Sequence, residues 1–148
     1  MFSFEQDSAI GRLAVRTDWA ALVYFLRARR HPNPPPALRR VEVDVRLGTV
    51  QEAANLRAAG HQESEAQPRV VQVADSVFEI SRDRIAGIVP RESVHRGVVL
   101  EWLWYALAVC CPPDGWECYH ASAVERDGTA AVFSGDSYSG KTTRALRA

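Results

Sequence analysis

The chain has 148 residues, of which 47% are hydrophobic and 24% charged, a balance that suits a globular domain and excludes a disordered chain. Eighteen basic residues offset eighteen acidic ones, so no net positive field draws nucleic acid and that class of partner is set aside. No run of apolar residues is long enough for a membrane-spanning helix, and the start, Met1-Phe-Ser-Phe-Glu-Gln-Asp7, lacks the basic and apolar regions of a secretory leader.

In chain order, residues 12–16 place an apolar centre between two arginines and predict a short strand. Asp18 is the expected N-cap of a helix over 19–29, which puts Trp19, Leu22, Val23 and Leu26 on one face. Arg27, Arg29 and Arg30 load the end of that helix, where cations suit the macrodipole. Solvated helix-end charge is the plain reading of this cluster, and contact with a phosphopeptide or acidic substrate is the second. Pro32 and Pro34-Pro-Pro36 stop the helix and form a stiff connector, a PxxP-type ligand being the alternative.

Residues 41–47 alternate cleanly, with Val41, Val43, Val45 and Leu47 inward, so the chain opens β-α-β. A helix over 51–59, ended by Gly60, precedes a polar loop over 61–67. Strands over 69–73 and 77–80 flank a turn at Asp75-Ser76, and a further strand over 85–89 ends at Pro90. The helix predicted over 93–110 is apolar on almost every side, which calls for burial between layers. Its Trp102, Trp104 and Tyr105 fit packing better than a cofactor box.

Cys110, Cys111 and Cys118 are odd in number and crowded together, a poor disulfide framework. Only His120 stands near them, so a zinc site lacks ligands. Reduced thiols in a cytoplasmic protein are expected. Pro112-Pro-Asp-Gly115 ends the helix, and a strand over 117–125 leads to Asp127-Gly128, a hairpin signal. The partner strand over 130–134 is nearly all apolar and is expected to be buried.

That strand feeds Gly135-Asp-Ser-Tyr-Ser-Gly140-Lys141-Thr142-Thr143, which fits the phosphate-cradling pattern G-x-x-x-x-G-K-[ST]. Gly135 lets the chain leave the strand, and Gly140 lets main-chain N–H groups approach phosphate oxygens. Those N–H groups, from Ser137, Tyr138 and Ser139 through Thr143, and the start of the following helix would hold the anion. Lys141 would reach the β- and γ-phosphates, and Thr142 would offer its hydroxyl to Mg²⁺. The competing reading is a surface turn with a solvated lysine. Asp136 is either an acid–base group or a loop cap, and Glu125 and Asp127 are turn and strand-end charges. His120, on composition alone, is a hydrogen-bonded structural residue more often than a site residue.

The succession of an apolar helix, Tyr119-His-Ala-Ser-Ala-Val-Glu-Arg-Asp-Gly128, and Ala131-Val-Phe-Ser-Gly-Asp-Ser-Tyr-Ser-Gly-Lys-Thr142 resembles the C-terminal domain of the HPr kinase/phosphorylase family. It is similar more narrowly to the HPr-kinase-like proteins of peptide-modification clusters, such as lasso-peptide kinases. The resemblance covers roughly residues 98–148, about a third of the chain. It implies a phosphoenolpyruvate-carboxykinase-like P-loop domain with α+β character, ATP as donor, Mg²⁺, and a serine of a protein or peptide as acceptor. It also implies a site role for His120 near the γ-phosphate, which makes His120 a catalytic candidate beside the acid–base reading of Asp136. Tyr138 departs from the glycine common in that loop.

Residues 1–92 then form a β-rich front part, and residues 93–148 the opening of the nucleotide-binding domain. A phosphoryl-transfer site also needs a metal carboxylate, a charge clamp and a group that orients the nucleophile. The family's later strands and acidic residues have no counterpart after Thr142. The expectation is therefore the front portion of a longer kinase or, alternatively, a truncated, non-catalytic nucleotide- or peptide-binding module. Uncovered apolar surface beside strand 130–134 predicts self-association or weak stability, which sedimentation and thermal scans would check.

Overall fold

Alternating Val41, Val43 and Val45, all fully buried, build the centre of the fold. They lie on β3 (Arg40–Gly48), the third strand of a six-stranded sheet whose order is β1-β2-β3-β6-β5-β4. The computed structural model describes residues 1–8, 10–30, 39–59, 69–110, 121–136 and 139–146. The chain forms two compact units, Met1–Trp116 and Glu117–Ala148.

In the first unit, β2 (Gly11–Thr17) and β6 (Arg84–Pro90) flank β3 in parallel register. The outer strands β1 (Phe2–Ser8), β5 (Ser76–Ile80) and β4 (Arg69–Val73) join antiparallel. The β2–β3 crossover contains α1 (Ala20–Arg27), as the β-α-β reading requires. One face of the sheet packs on α1 through Leu22 and Leu26, and on α3 (Arg96–Cys110) through Val99, Leu103, Ala106 and Leu107. Across β5 and β6 the other face takes α2 (Val50–Ala59), with Ala53, Val77 and Ile88 in a smaller cluster. The chain is thus a mixed α/β protein of α+β character.

Strand parity sorts the charges. On β2 and β3 the positions that alternate with the buried valines and leucine are Arg12, Ala14, Arg16, Glu42, Asp44 and Arg46, all but Ala14 charged. They form ladders across the sheet, with Arg16 paired to Asp44 and Arg40 3.1 Å from Glu5. The Asp7 carboxylate accepts a hydrogen bond from Arg12 at 2.9 Å and raises the guanidinium pKa, first through that bond and then through its charge. Exposed pairs of this kind contribute about 0–1 kcal/mol each.

Gly87 makes room for the largest fully buried side chain among the described residues. It lies opposite Phe78 in the β5–β6 register, and a Cβ there would stand 2.3 Å from Phe78 Cδ1. The Phe78 ring fills the gap and meets Trp102 at 5.0 Å between centroids.

Several expectations change. β1 was not foreseen, because its inward positions are partly polar: Gln6 Nε2 donates to Leu26 O at 2.7 Å, and Ser8 Oγ donates to Gly11 O at 2.8 Å. Asp18 is not the helix cap. Its carboxylate accepts the Leu47 N–H at 2.6 Å and pairs with Arg91 at 3.3 Å, while Thr17 Oγ1 takes the Trp19 N–H. α3 is buried on one face only, and Val98 and Tyr105 are each 63% exposed on the other. Because its buried face belongs to the first core, compactness divides the chain after Trp116 rather than at 92/93. Among the described residues no helix is long and apolar enough to cross a membrane.

Candidate functional site

The second unit is built on the Asp127-Gly128 signal. Both residues take positive φ, 52° and 76°, as a two-residue type I′ hairpin demands. The Glu125 carboxylate accepts the Gly128 N–H at 2.6 Å and closes the turn, so Glu125 is the turn charge the sequence predicts. The turn joins β7 (Ala121–Arg126) to β8 (Thr129–Ser134) in antiparallel register, with Ala121 opposite Ser134. β8 is not buried as its composition predicts: Val132 is 62% exposed. A two-stranded sheet leaves both faces open unless another layer covers it.

At the end of β8 the chain enters the glycine-bounded loop and then α4 (Lys141–Ala145). Gly135 has φ 150° and Gly140 φ 82°, and at Gly140 an L side chain would be strained in the left-handed region. A Cβ on Gly135 would also meet Ser139 Oγ at 3.0 Å. Within the loop, Ser139 N–H donates to Asp136 O at 3.2 Å. The Lys141 ammonium folds back over the loop and donates to Gly135 O and Asp136 O, each at 2.8 Å. Among the described residues, the N–H groups of Lys141, Thr142 and Thr143 find no acceptor, since the first turn of a helix lacks internal partners.

A cavity of about 340 Å³ adjoins this loop, lined by Gly135, Ser139, Lys141 and Arg144 together with the end of β8. The loop therefore gathers one ammonium group and, among the described residues, three main-chain donors without an acceptor beside a space that admits an anion. Asp136 takes part through its carbonyl oxygen, while its carboxylate makes no hydrogen bond or ion pair with the described residues. Thr143 is exposed. His120, Ser137 and Tyr138 lie outside the described residues, as do Cys111 and Cys118.

Comparison with family models, with curated proteins and with solved structures returned no match. The chemistry of the site rests on its own geometry.

One residue the sequence reading passed over enters here. Ser122, half-buried on β7, places Oγ 3.2 Å from Thr142 Oγ1. The signal for it lies in the hairpin: the Asp127-Gly128 turn folds β7 back along the strand that delivers the loop. As a donor set, these hydroxyl oxygens suit a hard cation. Among the described residues no cluster of three or more His, Cys, Asp or Glu could hold a metal. The residues thus fit Mg²⁺ carried by phosphate oxygens and water, with one hydroxyl from the protein, and do not form a cage of their own.

The first unit has a separate groove of about 970 Å³ between α2 and the β4–β5 turn. Val50, Ala53, Ala54 and Ala58 give it an apolar wall, with Asp75 and Glu92 at its rim. It contains none of the residues of the glycine-bounded loop.

Proposed function

We propose that the second unit grips the polyphosphate tail of ATP, as part of an HPr-kinase-like serine kinase acting on a protein or peptide. The observation that carries this reading is the loop itself, bent at Gly135 and Gly140, with the first-turn N–H groups finding no acceptor among the described residues and the Lys141 ammonium held on the loop's own carbonyls. An ammonium group has three donors and no acceptor. A phosphate oxygen, being anionic, outcompetes a neutral carbonyl for them. On nucleotide binding Lys141 would move from Gly135 O and Asp136 O to the β- and γ-phosphates, leaving the loop amides to enclose the anion.

Thr142 would hold Mg²⁺ by its hydroxyl, and the ion would supply charge neutralisation at the phosphates when bound. In the transfer, the bond from the γ-phosphorus to the β–γ bridging oxygen breaks and a bond to the acceptor serine oxygen forms. The serine proton passes to a base. The family resemblance implies a site role for His120 near the γ-phosphate, and Asp136, whose carboxylate has no partner among the described residues, is the loop's own acid–base candidate.

Calorimetric titration of the 148-residue chain with ATP and Mg²⁺ tests the proposal. Binding is expected, and Lys141→Ala should weaken it about tenfold or more, the loss of one charge-assisted contact. Equal binding by the parent and the variant would overturn the phosphate-cradle reading. Binding without transfer to a serine peptide would favour a nucleotide-binding module that lacks chemistry.

A further inference from the structure

We infer that Ser122 is a positioning residue for the divalent cation: its Oγ accepts the Thr142 hydroxyl proton and so turns the Thr142 lone pairs towards the metal. The inference rests on the nucleotide reading of the loop. A hydroxyl carries one proton and two lone pairs. The 3.2 Å contact between Ser122 Oγ and Thr142 Oγ1 allows either oxygen to donate. If Ser122 donates, one Thr142 lone pair is spent on the protein. If Thr142 donates, both stay available, and a cation beside that oxygen favours the second arrangement because it repels the proton.

The geometry supports a dedicated partner. Ser122 is half-buried, is held in β7 by pairing with β8 opposite Phe133, and touches Thr142 across 20 residues of sequence. Thr142 is exposed at the start of α4 and has no other side-chain partner among the described residues. Without Ser122 its hydroxyl would turn freely in solvent, and the metal would have to order it. Partners that orient a ligand typically change metal affinity by about 10–100-fold when removed.

The test uses the whole chain and an isosteric pair. Ser122→Thr keeps the hydroxyl, whereas Ser122→Val has almost the same shape, suits a strand equally well and lacks the hydroxyl. ATP affinity is measured by calorimetry with and without Mg²⁺, and free Mn²⁺ is followed by electron paramagnetic resonance in the presence of ATP. Ser122→Val should leave metal-free ATP binding unchanged and reduce the gain in affinity on adding Mg²⁺ about tenfold. It should release Mn²⁺ in parallel, while Ser122→Thr keeps the parent's values.

A Mg²⁺ gain that survives in Ser122→Val would overturn the inference, as would an equal loss with and without metal. In either case a Lys141→Ala defect would leave the phosphate loop standing. A parent chain that binds no ATP overturns both.

Discussion

The two units solve opposite problems with the same alphabet of strands and short helices. In Met1–Trp116, inward residues of four strands meet two helices in one core, and Leu13, Leu22, Phe78 and Ile85 are fully buried. In Glu117–Ala148, none of the described residues is buried, and what is ordered is backbone: a type I′ turn, a glycine-bounded loop and a lysine resting on two carbonyls. The first unit stores its stability in side-chain packing. The second leaves the first-turn N–H groups of Lys141, Thr142 and Thr143 without an acceptor among the described residues, and such donors are what a ligand can use. A region that binds by main-chain groups is expected at the low-stability end of a protein.

The sharpest way to break this comparison is to delete one apolar side chain from each unit. Phe78→Ala, at a fully buried site against Trp102, should cost about 3–5 kcal/mol in urea unfolding. Val132→Ala, at a position 62% exposed, should change stability by less than about 0.5 kcal/mol. Of the four tryptophans, Trp19, Trp102 and Trp104 lie among the described residues of the first unit, so tryptophan fluorescence chiefly follows that unit, and circular dichroism follows the whole chain. Comparable losses from the two variants would show that the hairpin is packed as tightly as the sheet.

A second substitution sharpens the contrast from the side of the loop. Gly140 sits at φ 82° with no atom within 4 Å of a Cβ built there, so Gly140→Ala meets no clash and suffers only backbone strain, about 1–2 kcal/mol. Relieving that strain would rotate the amides at the start of α4. ATP affinity should then fall about tenfold, while tryptophan-detected melting stays at the parent's value. A shift in that melting with ATP binding intact would contradict the division of labour.

What the sequence disclosed follows the same physical line. Clean alternation at residues 41–47 and the Asp127-Gly128 signal predicted β3 and the β7–β8 turn, because parity and positive φ are local properties. The loop was legible for the same reason: it needs glycine at two bends and a lysine directly after the second. β1 escaped notice because Gln6 and Ser8 face inward, and their partners, Leu26 O and Gly11 O, are visible only once the chain has folded. Asp18 has the composition of a cap, but Leu47 and Arg91, far along the chain, claim its carboxylate. One-sided exposure of α3 and the open faces of β8 depend on what lies alongside each element, which hydropathy does not encode. Ser122 is an ordinary strand serine until the hairpin brings it to Thr142.

The smallest expected effect lies at the start of α2, where Thr49-Val-Gln-Glu52 is a capping box. Glu52 Oε2 accepts the Thr49 N–H at 2.7 Å, and Thr49 Oγ1 accepts the Glu52 N–H at 3.1 Å. The hydrogen bond from Arg46, then the one from the Thr49 backbone, hold the Glu52 carboxyl below its ordinary range. A depressed folded pKa means that the unfolded chain binds the proton first as pH falls. The capping contribution is therefore complete above the ordinary glutamate range and is lost as pH drops through the depressed folded value. Glu52→Gln keeps a side chain able to serve in the box but cannot titrate. In urea melts followed by tryptophan fluorescence, the parent's small advantage at neutral pH should shrink below the ordinary glutamate range and should also weaken in high salt. An advantage constant with pH would mean that Glu52 acts by shape alone, and the first unit would then owe the start of α2 to packing, as it owes the rest of its sheet.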